Sequence, residues 1–143
     1  VDFGVFDDKG MVTDTIHKGS MFSIRSKIRF IKEVKDPIFT FTFKNNQGVS
    51  ITGTNTMYEG VLTGTAADGD EYVAEFSQTM NLQGGEYLLS ISCTGYAGGE
   101  FQVYYRLYDV ISVTVVSIQD TVGFYDMFSK TNVTKNGVVL EKQ

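Results

Sequence analysis

His17 and Cys93 are the single histidine and the single cysteine of the chain, so any nucleophile-and-base chemistry must run through them. Cys93 shares the alternation parity of Leu89 and Ile91, which predicts a buried, structural thiol. His17 falls in the turn-like TIHKGS and is predicted to be a solvated loop residue. One Cys and one His cannot build a zinc site. Asp68, Asp70 and Glu71 lack the longer ligand spacing of a calcium loop and form an acidic turn, leaving a calcium ion at a sandwich edge as the one metal alternative. The 17 acids contain no pair that the sequence singles out for glycoside hydrolysis. No P-loop and no GxGxxG is present, so no cofactor is expected. The sequon Asn132-Val133-Thr134 has meaning only in a secretory context.

Those residues hang on strands. Phe22, Ile24, Ser26, Ile28 and Phe30 alternate with Met21, Ser23, Arg25, Lys27 and Arg29, and Phe39, Phe41 and Phe43 alternate with Thr40, Thr42 and Lys44. Both patterns are those of half-buried strands. Further strands are predicted near 1–6, 49–54, 71–81, 87–94 and 101–118, the last long enough to bend or divide. DDKG, KNNQG, ADGD, LQGGEY and YAGGE supply turn residues between them. Pro37 stands just before a strand, where its missing N–H does least harm. Short strands punctuated in this way predict an all-β, antiparallel β-sandwich. Its core is expected to hold Phe22, Ile24, Phe39, Phe41, Phe43, Phe76, Leu89 and Ile91. The polar GTNT at 53–56 reads as a corner where short side chains bond nearby backbone, ahead of a ligand loop. From Gln119 onward the pattern weakens, and a loop followed by a last strand is expected.

With 143 residues, 42% of them apolar, the chain has enough material for one domain over 1–143. The net charge of −5 and pI near 4.8 argue against nucleic acid as a partner, since phosphate contacts need clustered Lys and Arg. One cysteine fits a reducing compartment. No apolar run approaches the roughly 20 residues that span a bilayer, so a soluble chain is expected. It begins at Val1 inside an apolar alternation, without an initiator Met or a secretory signal, which predicts a piece of a longer protein.

Taken in order, DDKG, HKGSMFSIRSKIRF, FTFKNNQGVSITGTNT, FSQTMNLQGGEYLLSIS and YRLYDV resemble a known family over nearly the whole chain. It is similar to the C-terminal carbohydrate-binding domain of the ATP-binding subunit of O-antigen polysaccharide ABC transporters, the Wzt type. GTNT and L-x-x-G-x-Y-x-L-S carry most of the specificity. The resemblance implies an immunoglobulin-like or jelly-roll sandwich, often a homodimer, that binds the non-reducing end of a lipid-linked glycan without altering it. It also implies a place at the cytoplasmic face of the inner membrane, contact with the transporter's membrane subunit through the parent chain, and an ATPase in a separate N-terminal domain. The alternative function is a structural or adhesive sandwich of a bacterial surface protein.

A glycan site needs aromatic faces for the C–H side of a sugar and planar forks for its hydroxyls. In FQVYYRLYD one parity holds Gln102, Tyr104, Arg106 and Tyr108, spaced roughly 7 Å apart if the strand is regular. That row is a candidate platform, and the resemblance transfers no binding residue to it. The competing reading packs its tyrosines beneath a neighbouring strand or at a dimer contact. Arg25, Lys27 and Arg29 form a second candidate row, suited to an anionic glycan or terminal phosphate, or else simply a solvated face.

Overall fold

The computed structural model describes residues 2–141, all of whose regular elements are strands. β1 (Asp2–Phe6), β2 (Thr15–His17), β3 (Met21–Arg29), β4 (Val34–Lys35), β5 (Ile38–Asn45) and β6 (Ser50–Asn55) make the first half. β7 (Thr65–Ala66), β8 (Glu71–Thr79), β9 (Gly85–Ala97), β10 (Glu100–Val116), β11 (Thr134–Lys135) and β12 (Val138–Val139) complete it. A three-stranded sheet, β1-β3-β8, packs on a five-stranded sheet, β2-β10-β9-β5-β6. Two short ribbons, β4-β7 and β11-β12, lie outside them.

Period-two burial builds the sandwich. Phe22, Ile24 and Ile28 of β3 and Phe39, Phe41 and Phe43 of β5 all face inward. Rings meet across the gap at 6.3 Å for Phe22 with Phe43 and 4.9 Å for Phe41 with Phe76. Of the eight expected core residues, seven are buried, and Phe76 is half-buried because β8 is a sheet edge. Side-chain carboxylate or amide oxygens close the first turns as expected. Asp7 Oδ1 accepts from the N–H of Lys9 and Met11, and Asn45 Oδ1 from that of Gln47 and Val49.

Three expectations change. The sandwich is not wholly antiparallel, because β2 lies parallel to the far end of β10 with Ile16 opposite Val115. A three-residue strand has too little alternation to be seen in sequence, and its place depends on the length of β10. His17 therefore sits in a strand, although it stays exposed. The tail pairs with itself as a hairpin, β11-β12, through Asn136 and Gly137, both with positive φ, as a two-residue hairpin turn requires. The expected last strand reaches only Val139, and residues 142–143 lie outside the described residues.

Upstream of that hairpin the tail is fastened to the body. Tyr125 bridges Leu82 and donates its hydroxyl to the Ile51 carbonyl. The Lys18 side chain, 7% exposed, donates to Gln83 Oε1 and the Gln119 carbonyl at 2.9 Å and pairs with Asp126 at 2.8 Å. That pairing, followed by the Phe128 N–H, holds the Asp126 carboxyl below its ordinary range. The Gly84 N–H does the same, first among several contacts, for Asp120.

Candidate functional site

β10 is not a regular strand, and its irregularities decide what its face offers. Val103 pairs with Thr94 and Tyr105 with Cys93, so Tyr104 is an extra residue in a bulge. Its ring turns onto the backbone of Gly95, where a Cβ would come within 3.1 Å of Tyr104 Cε2, and packs on the cluster of Ile28, Phe30, Phe39 and Cys93. Lys32 Nζ lies 5.8 Å from that ring's centroid. Gln102 lies opposite the same Gly95. The expected single row of Gln102, Tyr104, Arg106 and Tyr108 is therefore divided: the bulge shifts the alternation by one residue, and the packing alternative holds for Tyr104.

Beyond the bulge Tyr105 and Leu107 face the core, and burial pushes the Tyr105 phenol up. Arg106 then faces outward opposite Ser92. A second irregularity follows, because Leu107 pairs with Ile91 but Ile111 pairs with Leu89. Two extra residues loop out here, and Asp109 adopts φ 51°, a left-handed conformation that costs a non-glycine residue free energy. Ser90 holds it: the Asp109 N–H donates to Ser90 Oγ at 3.0 Å, and that hydroxyl donates to Asp109 Oδ1 at 3.4 Å.

The double bulge lifts Tyr108 off the outer face of the five-stranded sheet, leaving it 62% exposed. Two cations attend its ring, Lys44 Nζ at 5.3 Å and the Arg106 guanidinium carbon at 6.0 Å from the centroid. Arg106 Nη1 donates to the Tyr108 hydroxyl at 3.3 Å, and Lys44 pairs with Asp109 at 3.7 Å. An aromatic face, a guanidinium, an ammonium and a carboxylate thus converge beside the short polar side chains of Thr40, Thr42, Ser90 and Ser92. Lys44, Asp109 and Ser90 escape a reading by alternation, since two of them arrive from other strands and the third from a loop-out.

The second candidate row lies on the outside of the three-stranded sheet. Arg25 pairs with Glu75 and covers the Phe6 ring at 4.3 Å, Lys27 pairs with Glu71 at 3.5 Å, and Arg29 stands opposite Glu71. Acids on β8 neutralise Arg25 and Lys27, leaving Arg29 without an ion pair among the described residues, so the solvated-face reading fits the row better than an anion site. Cys93 is fully buried and its thiol is pushed up to about 12 by that burial, far from the reactive range. Among the described residues no group of three His, Cys, Asp or Glu side chains could hold a metal ion. Asp70 Oδ2 instead accepts the Ala67 N–H at 2.8 Å within its own turn. Within the 53–56 corner Asn55 and Thr56 are structural as expected, while Thr54 stands on the inward parity: Asn55 Oδ1 accepts the Tyr58 N–H at 2.7 Å and Thr56 Oγ1 the Phe39 N–H at 3.1 Å.

The family model for the Wzt C-terminal domain matches residues 1–127. The chain belongs to the Wzt C-terminal domain family. The crystal structure of the C-terminal domain of Wzt superposes with a TM-score of 0.84 at 23% identity, covering 94% of this chain and 82% of that one, and shows the same fold. A solution structure of a CARDB domain from Pyrococcus furiosus is 14% identical with a TM-score of 0.42, covering 80% of this chain and 94% of that one. No curated protein sequence matches the chain. The Wzt C-terminal domain family is associated with polysaccharide ABC transporters. Its match takes in the Tyr108 cluster and ends before the β11-β12 hairpin. No helix in the described Wzt-family domain is long and apolar enough to cross a membrane.

Proposed function

We propose that this domain binds a polysaccharide without altering it, as the glycan-recognition part of an ABC exporter's ATP-binding subunit. The observation that carries the reading is the exposed Tyr108 ring, flanked by Arg106, Lys44 and the strained Asp109 on the outer face of the five-stranded sheet. A sugar laid on that ring meets a guanidinium and a carboxylate at its hydroxyl edges, and no activated nucleophile stands near it. The ligand is the non-reducing end of a lipid-linked, O-antigen-type glycan presented at the cytoplasmic face of the inner membrane, and the parent chain brings the domain to the transporter's membrane subunit. Gln102 and Tyr104 support the site from the bulge beside it rather than joining its face.

Titration calorimetry with the producing organism's own polysaccharide tests this. Changing Arg106→Ala and Tyr108→Ala together is expected to weaken binding at least tenfold, about 1.4 kcal/mol, with little loss of thermal stability. Unchanged affinity would move the site, and cleavage products would overturn the non-catalytic reading.

The same reading includes a homodimer. Val133, Val138, Val139 and Leu140 of the hairpin segment are all about half exposed or more, and a two-stranded ribbon is marginal in water without a surface to cover it. Light scattering on the chain deleted from Lys135 onward checks this, with a fall to monomer mass expected.

A further inference from the structure

On one flank the two sheets do not close. The edge strand of each, β6 and β8, is unpaired on that side, and between them lies a cavity of about 450 Å3. Edge strands of a sandwich ordinarily turn apolar side chains to the interior. Here Thr52 and Thr54 stand on the inward parity, opposite Phe43 and Phe41, and Gln78 stands on the inward parity opposite Phe22. Polar side chains from both edges therefore face each other over a floor of phenylalanine rings, Phe41 and Phe76 among them. Thr54 Oγ1 donates to Glu59 Oε2 at 3.1 Å at one end. The Gln78 amide nitrogen donates to the Phe76 carbonyl at 3.2 Å, and its Oε1 accepts nothing among the described residues.

We infer that this lateral cleft is a second carbohydrate site, separate from the Tyr108 face, that takes a single neutral sugar ring. Its volume lies within the range of about 300–1,000 Å3 usual for small-molecule sites, and an aromatic floor under a hydroxyl-and-amide rim is the surface a pyranose presents in complement. Charge selects the class. The lining includes the carboxylate of Glu59 and no lysine or arginine among the described residues, while Glu75 turns its carboxylate to Arg25 on the outer face, so a uronic acid or a phosphorylated sugar would be repelled by Glu59. Glu59 instead offers an acceptor for a pair of sugar hydroxyls. The inference goes beyond the Tyr108 reading and does not depend on it.

Amide chemical-shift mapping by NMR tests it, with methyl glycosides of glucose, galactose, mannose and N-acetylglucosamine as probes and glucuronate as the anionic control. At least one neutral glycoside should move the amides of Thr52, Thr54 and Gln78 saturably in the millimolar range, and glucuronate should not. Thr54→Tyr, which fills the cleft, and Gln78→Leu, which removes the amide without filling it, should each raise the dissociation constant at least tenfold; the amide spectrum itself reports whether each variant is folded. Shifts confined to Arg106 and Tyr108, equal binding of glucuronate, or no shift at 50 mM of any probe (about fifty times a millimolar constant) would overturn the inference. So would concentration-dependent shifts of the cleft amides without sugar, which would give the cleft to a second copy of the chain. Native polysaccharide that binds wild type and loses affinity only in the Arg106→Ala/Tyr108→Ala variant would sink the cleft and leave the Tyr108 reading standing.

Discussion

Replacing Phe41 by Ala removes a ring that is 6% exposed and meets Phe76 at 4.9 Å and Phe43 at 5.8 Å, both edge-on. Truncating a buried phenylalanine costs about 3–5 kcal/mol, of which part is lost transfer free energy and part the empty cavity left behind. Phe41 lines the lateral cleft, so the vacated space is continuous with solvent and water fills it. That removes much of the cavity part and places the expected cost near the lower bound, about 3 kcal/mol. Phe39, 2% exposed and stacked on Tyr72 at 6.0 Å, lies away from the cleft. Its truncation leaves a closed void and should cost about 4–5 kcal/mol. Urea unfolding followed by far-ultraviolet circular dichroism measures both, and at about 2–4 °C per kcal/mol for a chain of this size the Phe41→Ala melting point should fall by roughly 6–12 °C. An unchanged midpoint for Phe41→Ala, or a larger loss than for Phe39→Ala, would refute the reasoning about core and cleft alike.

Acid should release the tail before it unfolds the sandwich. Asp126 is held low chiefly by Lys18, so its folded form binds fewer protons than its unfolded form. The stability this contributes is complete above the ordinary carboxylate value of about 3.9 and is lost as pH falls through the lower folded value. Hydrogen exchange at Asp126 and Thr121 across that range checks the order, and Lys18→Met should move the release to higher pH. Cys93 should resist a thiol reagent at pH 8 in the native protein and react on unfolding, because its thiol is pushed up to about 12 and has no exposed surface. Gly53→Ala should cost about 1–3 kcal/mol, since the new Cβ would fall 2.5 Å from the Phe41 carbonyl oxygen and force β6 away from β5, a loss visible as a lower urea midpoint.

The alternation of Phe22 to Phe30 and of Phe39 to Phe43 was enough to place both main sheets, because a strand with one buried face repeats every two residues whatever its partner. Turn residues with short carboxylate or amide side chains were equally legible, since Asp7 and Asn45 bond backbone only two to four positions away. The ordered motifs also sufficed to point to the family. Counting by twos failed in β10, where a bulge at Tyr104 depends on the bare backbone of Gly95 on the next strand, and the loop-out at Asp109 depends on Ser90. The neutralisation of Arg25 and Lys27 by β8, the gathering of Lys44 with Tyr108, the clamp of Lys18 on Asp126 and the cleft between β6 and β8 all join residues tens of positions apart. Periodicity within one strand carries no information about the register of its neighbours, so only the tertiary structure decided which of these side chains stand together.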